Sequence, residues 1–182
     1  FNIKLPKNFD SPFKSTNMIN FWQRWHITLS NFLMNYIYFP WLKYLREITF
    51  IKSMIATFFV FIIAGIWHGP SWLYVIFGTL HGIGLIINHT FNRYSNFSLN
   101  RYLAWFLTFN YVNITLIFFR SKTIESSIDI IKGMTGLNEI EWNLLLDKDF
   151  FLILIFLLAV IITFCFKNSS FLVENYFNTK NK

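Results

Sequence analysis

Charged residues are scarce in this sequence. They make up 14% of its 182 residues, whereas about 25% is usual for a soluble domain. From residue 53 to residue 92 the chain contains no Asp, Glu, Lys or Arg. This stretch argues against an ordinary soluble domain. Together with a hydrophobic fraction of 54%, it predicts an integral membrane protein.

Cysteine and acidic residues are also rare. Cys165 is the single cysteine and lies in an apolar run, which excludes an internal disulfide and favours a packing role. Nine acidic residues against 16 Lys and Arg give a net charge of +7. The basic residues mostly flank apolar segments, as in proteins that anchor helix ends among lipid headgroups. We therefore expect a lipid bilayer, and not nucleic acid, as the partner.

The apolar segments predict an all-α, polytopic membrane protein. The uncharged stretch is about twice the roughly 20 residues that one membrane span needs, and Gly69-Pro70-Ser71 is the natural break within it. We predict spans over residues 50–67 and 71–88. Further spans are predicted over residues 102–119 and 150–166.

A different pattern occupies residues 21–42. Polar side chains fall on one helical face there and aromatic or aliphatic side chains on the other. This pattern predicts an amphipathic helix that lies at the membrane interface or lines a wet cavity. Pro40 is expected to end or kink it.

The chain opens on Phe1, and no charged region followed by a short apolar run and a cleavage site is present. We see no signal peptide in this pattern. We expect the sequence to be a piece of a longer chain.

The four histidines lie in largely apolar sequence, where an unsatisfied imidazole is costly. For His26 and His81, the residue pattern favours a packing role over a site residue. For His68, which precedes the Gly-Pro break, a capping role and a role as general base are equally supported. His89 is expected at an interface.

The histidine spacing does not favour a metal centre. His68 and His81 are thirteen residues apart, which on one helix separates them by roughly 20 Å along the axis. No cysteine or acidic residue lies nearby at ligand spacing, so we expect no metal. Neither a phosphate-binding loop nor a Gly-x-Ser-x-Gly elbow is present.

Several motifs occur in a fixed order: residues 21–30 (FWQRWHITLS), 36–40 (YIYFP), 65–72 (GIWHGPSW) and 78–82 (GTLHG). Together they resemble the membrane-bound O-acyltransferase family, and most of all its bacterial branch that O-acetylates alginate or peptidoglycan. Residues 5–9 (LPKNF), 118–120 (FFR) and 133–134 (GM) fit the same branch. One departure is Met34-Asn35-Tyr36, where the family often has Arg-Asp-Tyr.

The resemblance implies a helical bundle around a central funnel, of which residues 1–182 would be the C-terminal part of a single domain. It implies that His68 is the catalytic base and that His26 is the second site residue. The other implied residues line the substrate funnel (Trp25, Trp67 and Trp72) or form structural motifs (Gly69, Gly78, His81 and Gly82).

The resemblance also implies a reaction. An acyl group would pass from a thioester donor towards a hydroxyl of a cell-envelope polysaccharide. The favoured acyl group is acetyl, and the donor would be acetyl-CoA or another acyl thioester. The resemblance implies no permanently bound cofactor. It does imply an exported acetyltransferase as a partner. The location would be the bacterial cytoplasmic membrane. The alternative is a non-enzymatic membrane scaffold or half of a transporter, in which the histidines pack or relay protons.

Overall fold

The computed structural model describes residues 5–137 and 150–173. These residues form helices and contain no strand, which confirms the all-α fold class for this part of the chain. The chain forms two compact units, Phe1–Ile131 and Lys132–Lys182. Each unit is described by itself below.

The first unit begins with short helices. α1 spans Met18–Trp22, and its first turn is capped by the side chain of Asn17, which accepts a hydrogen bond from the Asn20 N–H at 2.7 Å. α2 spans Ile27–Leu33. A π-helical turn, Met34–Tyr38, leads directly into α3, Phe39–Tyr44.

The structure corrects the single helix predicted over residues 21–42. The backbone of His26 is left-handed, with φ 44° and ψ 52°, and this turn separates α1 from α2. Pro40 does not end the helical path, because it lies in the first turn of α3, where a missing N–H is tolerated. Location at a membrane interface stays a prediction.

Three long helices follow: α4, Phe50–Trp67; α5, Trp72–Tyr94; and α6, Arg101–Arg120. Each is long and apolar enough to cross a membrane. α4 begins and ends where the sequence predicts. α5 continues to Tyr94, beyond the predicted end at residue 88. The prediction followed the apolar run, whereas the backbone hydrogen bonds of the helix continue through the polar turns after it.

α4 and α5 pack with their backbones in close approach. A Cβ on Gly65 would meet the Tyr74 carbonyl oxygen, and a Cβ on Gly78 would meet the Phe61 carbonyl oxygen. Small residues at such a crossing are typical of membrane helix pairs. α6 joins the pair through Tyr111, whose hydroxyl donates to the Leu80 carbonyl at 2.6 Å.

α1 is fixed against the long helices by a buried cluster and by a polar contact. The backbone N–H of Ile19 donates to Asn88 Oδ1 at 3.1 Å. This packing brings the residues before His26 against α5 and α6. The cluster consists of Met18, Phe21, Trp22, Leu85 and Val112.

Two further helices complete the described chain. α7, Ile124–Met134, contains the boundary between the two units. α8, Phe150–Cys165, has 16 residues and belongs to the second unit. Its length of about 24 Å at 1.5 Å per residue is below the roughly 30 Å of a bilayer core. The fourth span thus stays a prediction.

Candidate active site

His68 lies at the C-terminal end of α4, where the backbone changes direction. Its N–H donates to the Gly65 carbonyl at 3.0 Å. The next residue, Gly69, has a φ of 144°, a conformation that a side chain would strain. The side chain of Ser71 then caps α5 by accepting from the Leu73 N–H. The break predicted at Gly69-Pro70-Ser71 is therefore present, and it fixes the His68 backbone.

Aromatic rings from three helices surround the His68 imidazole. Its centroid is 4.9 Å from the Phe119 ring and 5.0 Å from the Trp67 ring. Tyr74 and Phe77 follow at 6.0 Å each. Within residues 5–137 and 150–173, neither ring nitrogen of His68 has a hydrogen-bond partner. The ring is thus held by packing, while its nitrogens remain available to a substrate.

The electrostatic surroundings of His68 favour its neutral form. Partial burial lowers the pKa of the His68 imidazole, and a positive charge on His26 lowers that pKa further. Since the ordinary value is 6.5, the ring is predominantly neutral at pH 7. A neutral imidazole with an unoccupied nitrogen can accept a proton.

His26 lies at the N-cap position of α2 and not within one continuous helix over residues 21–42, as the sequence predicted. A left-handed backbone is uncommon in residues other than glycine, although histidine is among the types that adopt it. Such conformations cost roughly 1–3 kcal/mol and cluster at functional sites. The Nδ1 atom of His26 is buried and has no partner among the described residues.

Trp67 stands between the two histidines. Its ring centroid is 6.4 Å from that of His26 and 5.0 Å from that of His68. The side chain is 62% exposed, so its free surface is open to a ligand. We call His26, Trp67 and His68 the histidine cluster.

The other two tryptophans expected in the funnel occupy different places. Trp25 stacks on Phe21 at 5.5 Å and meets the Phe9 ring edge at 5.1 Å, so it forms part of the packing behind His26. Trp72 is 76% exposed, and no ring contact to it is found in the described part of the chain. The structure brings Trp67 to the histidines but not Trp72.

His81 lies apart from the histidine cluster in a buried polar network. It is 1% exposed. The Trp22 indole N–H donates to His81 Nδ1 at 3.1 Å, so the proton of the neutral ring must be on Nε2. That N–H points to Thr115 Oγ1 at 2.9 Å, and the Thr115 hydroxyl donates to the Val112 carbonyl. Both nitrogens are occupied, as expected of a structural residue.

Sequence reasoning named Trp67 but missed the other three aromatic neighbours of His68, namely Tyr74, Phe77 and Phe119. Phe77 contacts both His68 and His81, with its centroid 4.5 Å from that of His81. The spacing of four residues between Phe77 and His81 was a signal for this second contact. Phe119 belongs to the FFR tripeptide, but its contact with His68 depends on how α6 packs and could not be inferred from spacing.

Among the described residues, no group of three or more His, Cys, Asp or Glu side chains is placed to hold a metal ion. The expectation that the chain binds no metal stays a prediction. The chemistry that the histidine cluster offers is proton transfer beside an exposed aromatic surface.

Comparison with known proteins gives consistent matches. The family model for membrane-bound O-acyltransferases matches residues 1–128, a range that contains the whole histidine cluster. The peptidoglycan O-acetyltransferase of Helicobacter pylori is 38% identical over 96% of this chain. The matched region is 37% of that protein.

Two further relatives act on other polymers by their names. The probable alginate O-acetylase of Pseudomonas aeruginosa is 33% identical over 72% of this chain and 25% of its own length. The teichoic acid D-alanyltransferase of Streptococcus thermophilus is 38% identical over 50% of this chain and 23% of its own length. The chain thus spans little more than a third of these relatives at most.

Proposed function

The chain belongs to the membrane-bound O-acyltransferase family, and on that premise we propose that the histidine cluster is the catalytic centre of a membrane O-acyltransferase. His68 is the general base of this proposal. His26 and Trp67 shape the adjoining surface on which the acyl group lies.

The proposed reaction needs one proton carrier. A neutral His68 nitrogen takes the proton of the acceptor hydroxyl while the hydroxyl oxygen attacks the thioester carbonyl. The new C–O bond forms, the C–S bond breaks, and the leaving thiolate takes the proton back from the His68 imidazolium. Aromatic surroundings that limit water slow wasteful hydrolysis of the thioester.

The observation that carries the proposal is the state of the His68 ring. Its position is fixed by four aromatic neighbours, and its nitrogens have no partner in the described part of the chain. The lowered pKa keeps it neutral near pH 7. A residue with only a packing role would be expected to have its nitrogens occupied, as in His81.

The names of the relatives suggest the substrates. Two of them are O-acetyltransferases of peptidoglycan and alginate, so we propose an acetyl group as cargo, acetyl-CoA as donor, and a cell-envelope polysaccharide hydroxyl as final acceptor. An exported acetyltransferase partner would complete the transfer outside the membrane. The corresponding location is the bacterial cytoplasmic membrane, crossed by several helices around a funnel.

The test uses cells whose only copy of the full-length protein is wild type, His68→Gln or His89→Gln. His89 is a matched control because it lies in α5 without belonging to the histidine cluster. With membrane levels equalised, the initial rate at which base-labile acetate appears on envelope polysaccharide should fall by roughly 10²–10⁴-fold in His68→Gln and stay normal in His89→Gln. Normal acetate in His68→Gln would refute the role of His68. Normal acetate after deletion of the gene would refute acetyl transfer.

A further inference from the structure

A short segment outside any helix holds the backbone on both sides of His26. We call this segment, Asn8–Asp10, the strap. The N–H of Asp10 donates to the Arg24 carbonyl at 2.9 Å, and the N–H of Ile27 donates to the Asn8 carbonyl at 2.9 Å. The left-handed His26 turn is therefore bonded to the strap before and after its strained residue.

The side chain of Asn8 adds two bonds on the α2 side. Its Oδ1 accepts from the Thr28 N–H at 3.1 Å and from the Thr28 hydroxyl at 2.8 Å. The first N–H groups of a helix have no partner within the helix, and the residue at the N-cap usually satisfies one of them with its side chain. His26 holds that N-cap position but makes no such bond.

Asn8 therefore accepts the capping hydrogen bond that His26, the N-cap residue of α2, does not accept. With the Ile27 and Thr28 N–H groups both bonded to Asn8, the His26 imidazole is not needed as a cap. It can lie between the Phe9 ring, at 5.8 Å, and the Trp67 ring, at 6.4 Å.

We infer that Asn8 is a positioning residue for the active site: it caps α2 from the strap, and so holds the His26 turn and the His26 ring beside Trp67. The geometric part of this inference stands on the hydrogen bonds alone. Its consequence for catalysis rests on the proposed function.

The variants separate the Asn8 side chain from its backbone. Asn8→Ala removes both Oδ1 bonds and leaves the Ile27 bond in place, whereas Asn8→Asp keeps an acceptor oxygen at the same position. Thr28→Val removes the hydroxyl bond alone, and it serves if Asn8→Ala does not accumulate. The matched control is Asn100→Ala, which deletes an equivalent cap, the bond from the Tyr102 N–H to Asn100 Oδ1, at the start of α6.

The first measurement needs no acyl transfer. The full-length protein in detergent is treated with diethyl pyrocarbonate, and labelling of His26 is followed by mass spectrometry relative to His89. We expect labelling of His26 to rise about fivefold in Asn8→Ala, the population change that loss of a helix cap corresponds to. Asn8→Asp and Asn100→Ala should match wild type, and Thr28→Val should fall between. Unchanged His26 labelling in Asn8→Ala, or Asn8→Asp behaving like Asn8→Ala, overturns the inference.

The second measurement is acyl transfer by the same variants near pH 8. Asn8→Ala should lower the rate by roughly tenfold or more, since misplaced site groups are costly, and Asn8→Asp should restore it. If wild type transfers no acyl group but the labelling changes as expected, the proposed function fails and the positioning of His26 stands. If wild type is active and Asn8→Ala alters neither labelling nor rate, the inference fails and the proposed function stands.

Discussion

His81 and His68 both precede a glycine, and both belong to motifs of one stretch without charged residues. Their surroundings differ. His81 is buried between Trp22 and Thr115, with a partner on each nitrogen. His68 is held by the edges and faces of aromatic rings at the end of α4, and the described residues give its nitrogens no partner.

The difference shows what each histidine can do. A proton added to His81 Nδ1 would break the bond from the Trp22 indole, so the network fixes one neutral tautomer. A proton added to His68 breaks no hydrogen bond within the described chain. The first arrangement stabilises a helix contact, and the second leaves room for proton transfer. Variants that remove individual contacts of the two histidines test this division.

The largest expected effect on stability is at the buried site. His81→Leu leaves the Trp22 N–H without an acceptor, and we expect a loss of about 1–3 kcal/mol in the free energy of unfolding. His68→Leu should change it by less than about 1 kcal/mol, because that ring is only partly buried and has no described hydrogen bond. Denaturant-induced unfolding of the detergent-solubilised full-length protein, followed by far-UV circular dichroism, measures both and needs no activity.

A double variant tests whether the hydrogen bond causes the loss. Trp22→Phe combined with His81→Leu removes donor and acceptor together, so its loss should be smaller than the sum of the single losses by about 1 kcal/mol. Strict additivity would show that the Trp22–His81 bond contributes nothing.

The second prediction concerns the contact that sets α4 against α5. Gly78→Ala places a methyl group against the Phe61 carbonyl, and overpacking of this kind costs about 1–3 kcal/mol. Gly82→Ala is the matched control, since its Cβ would lie 3.3 Å from Phe58 Cα, where a small shift suffices. Because the contact also positions His68 against Phe77, activity should fall further in Gly78→Ala. Equal behaviour of both variants would contradict this packing.

The third prediction distinguishes Trp67 from Trp72, which belong to the same motif, residues 65–72, and were both expected to line the substrate funnel. Trp67→Ala removes the ring between His26 and His68, and acyl transfer should fall by roughly ten- to a hundredfold. Trp72→Ala should stay within about twofold of wild type, since no described ring contacts Trp72 and isolated exposed positions contribute little. The full-length variants are compared at equal membrane levels. A larger loss in Trp72→Ala than in Trp67→Ala would contradict this prediction and indicate that the substrate path lies beside Trp72 on α5.

The sequence predicted the long helices α4, α5 and α6 and the break at Gly69, because these depend on local properties: apolar run length, the absence of charge and the glycine-proline pair. It did not predict the left-handed turn at His26. That turn is followed by N–H groups that donate to the carbonyl and side-chain oxygens of Asn8, eighteen residues earlier in the chain, and no periodicity reveals such bonds.

The histidine roles were also only partly predictable. The motifs pointed to His68 and His26, but the residue pattern alone did not separate a satisfied from an unsatisfied imidazole. For His81, the decisive partner Thr115 lies 34 residues away on α6. For His68, the neighbour Phe119 also comes from α6. Such contacts follow from helix packing, which a sequence pattern leaves open.

The smallest expected effect is a shift in pH dependence, and it tests the pairing of the two site histidines. The base form of His68 is lost as pH falls through its pKa, which lies below 6.5 because of burial first and the charge on His26 second. The rate should therefore be flat around pH 7, with an acid limb whose midpoint is below 6.5. His26→Gln removes the charge but not the burial, so the midpoint should rise and still stay below 6.5. His89→Gln should leave it in place. The midpoint can be read even if His26→Gln is slow, and a downward shift would contradict the pairing.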